Sequence, residues 1–300
     1  MSVPRGIWRR VSPRLRVALV ACAVLLLGSQ SVLQPTVARA STSDEYEYYA
    51  EGFDTCQSLS DAQLSDWWSD TPIYTVGLYL GGEDGANVGC TGLGSSLWSY
   101  ALSLGYGIEP FWYGAQMPQT VNGVGCGGEG GRPAYVSLNT ATAYSQGAYE
   151  AAQAVGAAGS YPIPYSSVIY LDLEGFVNNS GCLPAAEQFV YGWDVFMADD
   201  SAYLPGLYGS SCSSYLTSMA GIPVVPTAIA PDDPNVDTTG VYGLQCLSDG
   251  LWDVNQRIHQ DISEVQRTFN GATLTVDEDC TDGPVIGING GQIVKNCNAF

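Results

Sequence analysis

The chain has 300 residues, with 30 acids against 10 lysines and arginines, and a formal net charge of −20 at pH 7. That balance repels polyanions, so it argues against nucleic acid and anionic membrane surfaces as partners. The length suffices for one large α/β domain behind a short leader.

The basic residues are unevenly placed. Residues Met1 to Arg16 hold Arg5, Arg9, Arg10, Arg14 and Arg16 with no acid, Val17 to Gly28 is apolar, and Ala38-Arg39-Ala40 has the small-residue pattern of a cleavage site. The pattern predicts a secretory signal peptide over 1–40, its apolar run being too short for a membrane span. Arg9-Arg10 is a partial match to a twin-arginine signal with poorly matching flanks. Beyond the leader only Arg132, Arg257, Arg267 and Lys295 face all 30 acids, which leaves a charge of −26 and predicts an exported monomer with no membrane insertion. Eight cysteines follow the leader: Cys56, Cys90, Cys126, Cys182, Cys212, Cys246, Cys280 and Cys297. An even count in an exported chain predicts four disulfides, and sequence does not choose among their many connectivities. Cys56 with Cys90 is the favoured pair, since each follows an early strand. With one histidine, His259, and no CxxC pair, neither a zinc site nor another cofactor is expected.

In chain order, 41–50 is expected to be a short polar tail. Gly52 to Cys56 then forms a strand ending in an acid, Ser60 to Trp68 a helix, Tyr74 to Leu80 a strand, and Ser95 to Leu104 a helix capped by Gly105. Gly107 to Tyr113 is a strand, Ala115 to Pro133 a long Gly-rich loop, and Thr140 to Ala158 a helix. Val168 to Gly175 (VIYLDLEG) is a nearly continuous apolar run and reads as a strand buried on both faces. Pro184 to Ala198 is helical and Pro205 to Ser210 a strand. Ile222 to Ala230 is a strand weakened by Pro223 and Pro226, and Thr239 to Asn255 is helical. Arg257 to Ile262 and Ala272 to Val276 are the last strands. Eight strands with intervening helices predict an α/β fold, a TIM-like (β/α)8 barrel over 51–279 as a single domain. A Gly/Asn-rich extension follows over 280–300, pinned by Cys280 and Cys297.

Active sites of such barrels lie at the C-terminal ends of the strands. Asp54, Asp172, Glu174 and Asp277 occupy predicted ends, and Asp172 and Glu174, two apart on one strand, face the same way. Carboxylates converging with aromatics suit glycoside hydrolysis: one protonated acid donates to the leaving oxygen while the others stabilise an oxocarbenium-like state or activate water. Trp112, Tyr113 and Tyr208, with Gln260, are the expected sugar contacts. Each has a plain alternative. Asp172 and Glu174 could be rim acids bonded to backbone donors, Asp54 a turn or cap residue, Asp277 part of an exposed acidic turn, and the aromatics ordinary packing. Asp233, Asn235 and Asp237 have calcium-loop spacing, but Thr238 and Leu244 replace the required glycine and glutamate, so a solvated turn is the reading.

The stretches GFDTC (Gly52 to Cys56), Trp67-Trp68, VGLYLGG (Val76 to Gly82), GYGIEPFWYGAQ (Gly105 to Gln116), VIYLDLEG, GLYGSS (Gly206 to Ser211), His259-Gln260 and Thr275-Val276-Asp277 together resemble the secreted bacterial glycoside-hydrolase-like family known as domain of unknown function 1906. That family resembles the family-25 N-acetylmuramidases. The resemblance implies a TIM-like barrel and a cell-wall polysaccharide or peptidoglycan substrate. It makes Glu174 the general acid, with Asp172, Asp54 and Asp277 supporting charge or positioning the sugar. The late W-Q-Y stretch of that family is Ile258-His259-Gln260-Asp261 here, without its Trp and Tyr. A catalytically weak, glycan-binding or envelope-organising barrel is the alternative.

Overall fold

In the computed structural model the chain divides into two units, Met1–Ser41 and Thr42–Phe300. The structure describes residues 45–90, 93–121, 123–128, 130–132, 134–177, 179–213, 215–233, 239–287 and 297. The expected leader therefore lies outside the described residues.

Ten strands are described: β1 (Glu45–Asp54), β2 (Ile73–Gly81), β3 (Gly107–Tyr113), the short pair β4 (Thr120–Val121) and β5 (Val124–Gly125), β6 (Val168–Asp172), β7 (Leu204–Ser210), β8 (Ala228–Asp232), β9 (Arg257–Phe269) and β10 (Ala272–Ile286). Eight of them close a barrel in the order β1-β10-β9-β8-β7-β6-β3-β2. The main helices are α1 (Asp61–Asp70), α2 (Gly85–Val88), α3 (Ser95–Leu104), α4 (Thr140–Ala158), α5 (Leu183–Val195) and α6 (Tyr215–Met219). This is the expected α/β barrel. Strand alternation sorts its side chains: Phe111 and Tyr113 point inward with Tyr79, Tyr170 and Tyr208, and Ile108 and Trp112 point outward into the core shared with the helices. On that outer layer α4 and α5 touch backbone to backbone. A Cβ at Gly147 would lie 1.8 Å from the Phe189 carbonyl oxygen, and one at Gly192 2.1 Å from that of Tyr144, so only glycine permits the contact.

Three expectations are corrected. The last strand runs antiparallel: β9 and β10 form a long hairpin through Asn270 and Gly271, both at positive φ, and β10 then pairs antiparallel with β1 from Asp54↔Asp277 to Glu45↔Ile286. Residues 45–50 are therefore wall rather than tail, and the wall continues past Cys280 to Ile286. The segment 239–255 contains no helix. The Arg257 guanidinium takes the carbonyls of Val241 (2.9 Å), Ser248 (2.7 Å), Leu251 and Trp252 (3.1 Å), acceptors that a helix would have used itself. Gly243, Trp252 and Asn255 sit at positive φ, outside the helical region.

Four disulfides are present: Cys56–Cys90, Cys126–Cys182, Cys212–Cys246 and Cys280–Cys297. Thiol titration of the denatured, unreduced chain cleaved after Ala40 should therefore find no free thiol. Two or more would contradict this pairing.

Candidate active site

A cavity of about 480 Å³ opens at the C-terminal ends of the parallel strands, and Asp54, Glu174, Asp277, Tyr79, Tyr113 and Tyr208 line it. Asp54 is the last residue of β1. It packs over Gly77 of β2, where a Cβ would approach its own Cβ to 2.4 Å. Asp277 reaches the same mouth from the other direction, mid-way along antiparallel β10 and opposite Asp54. The β9–β10 register slips around Asp277, and the Glu264 backbone N–H, on the facing strand, donates to its Oδ1. The extra residues are on β9, whose bulged backbone meets Asp277, while pairing with Asp54 at the end of β1 sets Asp277 at the mouth.

Asp172 ends β6 and is fully buried. Its Oδ2 accepts from the Tyr79 hydroxyl at 2.9 Å, so it stands behind the cavity wall rather than in it. Glu174 lies two residues beyond, half-buried, on a turn whose backbone is fixed on both sides. The Leu173 N–H donates to the Tyr208 carbonyl (3.2 Å), the Leu173 carbonyl accepts from the Tyr215 hydroxyl, and the Glu174 N–H donates to Gln116 Oε1 (2.8 Å). The Tyr208 hydroxyl donates to Gln260 Oε1 at 2.5 Å, and Gln260 Nε2 reaches Asp54 Oδ2 at 3.5 Å. Trp112 is a correction: it faces the helices, and its indole N–H donates to Glu150 on α4 (2.7 Å). Tyr113 alone of that adjacent pair lines the cavity. Of the calcium-like spacing, Asn235 and Asp237 lie outside the described residues. Asp233 is buried and accepts from the Ser211 hydroxyl (2.8 Å).

Burial and crowding set the electrostatics. Burial raises the Glu174 carboxyl to about 7, helped by Asp232 and Asp277 and opposed by Arg132. Burial likewise raises Asp54 well above its ordinary value, with Asp277 the strongest charge acting on it. It does the same to Asp172, with Glu174 next, and it raises Asp277, where the Glu264 N–H pulls the other way. Asp232, at the end of β8 and raised to about 6 by burial and then Asp277, was not among the expected site residues. Nor were Tyr79 and Gln116. The arrangement can hold a proton on Glu174 at neutral pH while other carboxylates nearby compete for charge. That is the condition for one acid to donate and another to stabilise positive charge.

The profile of the Rv2525c-like, glycoside hydrolase-like domain matches residues 65–281. The chain belongs to this family. It is the glycoside-hydrolase-like family expected from the sequence. Among curated proteins, none matches the chain. Among solved structures it is similar to an uncharacterized protein of B. stearothermophilus (15% identity, 77% of this chain and 95% of that one, TM-score 0.49). It is also similar to the Tat-secreted protein Rv2525c of Mycobacterium tuberculosis (12%, 85% and 97%, 0.47) and to a family 25 glycosyl hydrolase of Bacillus anthracis (11%, 81% and 95%, 0.46).

Proposed function

We propose that this protein is an exported glycoside hydrolase that cleaves bacterial cell-wall or other polysaccharide by carboxylate acid/base catalysis. The observation that carries the reading is Glu174: a carboxyl raised to about 7 by burial and by Asp232 and Asp277, exposed to a cavity that three further acids (Asp54, Glu264 and Asp277) and three tyrosines line. Glu174 gives its proton to the glycosidic oxygen as the bond breaks, which is the task a raised acid suits. Asp54 and Asp277 face the same space and supply negative charge to the oxocarbenium-like state. Asp172, tied to Tyr79, keeps a further carboxyl behind the wall. The faces of Tyr79, Tyr113 and Tyr208 offer stacking surface for sugar rings. Gln260 aligns Tyr208 and Asp54 from behind. The four disulfides suit an oxidising compartment, as does the signal-like leader over 1–40. Among the described residues no helix is long and apolar enough to cross a membrane.

One observation favours a second reading, a catalytically weak glycan-binding barrel. Burial raises Asp54 and Asp277 as well as Glu174, so the acid that must be ionised competes with the one that must be protonated. Incubating the purified protein with peptidoglycan and other envelope glycans, and measuring new reducing ends, separates the two. Cleavage that depends on Glu174 supports the hydrolase. Binding in the cavity without cleavage supports the second reading. Neither cleavage nor binding overturns both.

A further inference from the structure

The loop after β3 places one side chain in contact with both ends of the turn that presents Glu174. Gln116 is fully buried. Its Nε2 donates to the Asp172 carbonyl at 2.9 Å and to the Gly114 carbonyl at 3.2 Å. Its Oε1 accepts from the Glu174 N–H at 2.8 Å. Its own backbone is fixed too, since its carbonyl accepts from the Val136 N–H at 2.9 Å. The neighbouring Ala115 N–H donates to Glu150 Oε1 at 3.0 Å, so α4 anchors the segment that carries Gln116.

The chemistry suits this residue type. β6 ends at Asp172, and its neighbour β3 at Tyr113. Beyond those residues no strand ladder satisfies the Asp172 carbonyl or the Glu174 N–H. One group must therefore donate to a carbonyl and accept from an N–H two residues along the same strand. A primary amide does both without charge. A carboxylate cannot donate, an ammonium cannot accept, and an apolar side chain would leave two buried backbone groups unpaired.

We propose that Gln116 is the positioning residue of the site: it sets where the Glu174 carboxyl stands by completing the strand ladder past the end of β6. The proposal rests on the hydrolase reading for its catalytic meaning, but its geometric content does not need it. Without Gln116, the Glu174 end of the turn loses its hold, and the carboxyl moves toward solvent and away from its neighbours. Those neighbours are Asp172 on its own strand, Asp54 on β1, Asp232 on β8, Asp277 on β10 and Arg132 from the loop after β3. Tyr79, Tyr113, Tyr208 and Tyr215 complete the surroundings.

The test is Gln116→Leu, which keeps bulk and removes all three side-chain hydrogen bonds. The readout is the titration of the Glu174 side-chain carboxyl by ¹³C NMR, assigned by its loss in Glu174→Gln. This measurement uses no substrate, so it stands whether or not a glycan is cleaved. The expected result is a folded protein in which Glu174 titrates below the parent, moving from about 7 toward the ordinary glutamate range. On any glycan the parent turns over, kcat should fall roughly 10²-fold with KM little changed, the usual cost of a small misplacement. The alkaline limb should move to lower pH, because the acid gives up its proton earlier. Gln116→Glu, whose protonated form again has one donor and one acceptor, should recover parent-like turnover at acid pH only. If Gln116→Leu does not fold, Gln116→Met is measured in the same way. A folded variant whose Glu174 titrates as in the parent overturns the proposal, even if its Tm is lower. A shifted titration with no glycan cleaved by the parent keeps the positioning role and counts against the hydrolase instead.

Discussion

Glu174→Gln should lower turnover of a cleaved glycan by about 10²–10⁴-fold, the usual worth of one acid/base group, while the affinity for that glycan changes little. The amide keeps the shape, and the backbone N–H still reaches Gln116, so the turn stays in place. What is lost is the transferable proton. In the parent, activity should fall as pH rises through about 7, where Glu174 gives up its proton. Asp232→Asn should move that limb to lower pH, since Asp232 is the strongest neighbouring charge holding the proton on Glu174. Initial rates across pH, with isothermal titration of the inactive variant, check both. A Glu174→Gln protein as active as its parent would remove Glu174 from the chemistry.

The second large effect is on stability, and its direction is unusual. The barrel encloses carboxyls that burial raises: Glu109 to about 7, Glu150 to about 8, and Asp172, Asp194 and Asp279 well above their ordinary values. An acid whose pKa is higher folded than unfolded binds more protons in the native state. Stability then falls as pH rises from the unfolded value to the folded one. For Glu109 and Glu150 the window runs from 4.5 to about 7 and about 8. Glu109 alone corresponds to roughly 3 kcal/mol across its window. The surplus of acids beyond the leader adds self-repulsion in the same direction. Thermal melts at pH 5 and pH 8 should therefore give the higher Tm at pH 5, and Glu109→Gln should shrink the difference. A Tm that rises between those two values would show that the interior acids ionise freely.

The barrel was legible because its strands are apolar runs closed by Gly-rich or acidic ends, and β6 announced both its burial and its acids. Asp277 was placed at the right mouth for a different reason from the true one. It was read as a strand end, whereas it sits inside an antiparallel strand, opposite a bulge of its partner β9. The signal for that hairpin was present: Asn270-Gly271 between two apolar-alternating runs is the strongest short hairpin signature. Trp112 and Tyr113 could not both have been sugar contacts, since adjacent residues of a strand face opposite ways. Asp232 was masked by its neighbour Asp233, whose stretch was read as a solvated turn. Gln116 closes the matching stretch GYGIEPFWYGAQ, but nothing in the sequence showed its role, which depends on where β3 and β6 end relative to one another. The false helix over 239–255 shows the same limit. Its carbonyls are claimed by Arg257, outside the segment itself.

The disulfides have an order as well as a place. Each bridge closes before the next begins, with separations of 34, 56, 34 and 17 residues and no crossing of one loop by another. Once the leader that carries Cys22 is removed, a chain delivered N-terminus first meets each correct thiol partner before any competing thiol arrives. Native pairing therefore follows from the sequence of emergence, with no mismatched bridge to be exchanged. Wall closure obeys the opposite schedule, since β1 waits for β10 across more than 200 residues and such distant pairings are slow. Oxidation in transit would thus fasten the loops locally while the barrel is still open, shortening the search that remains for its last seam.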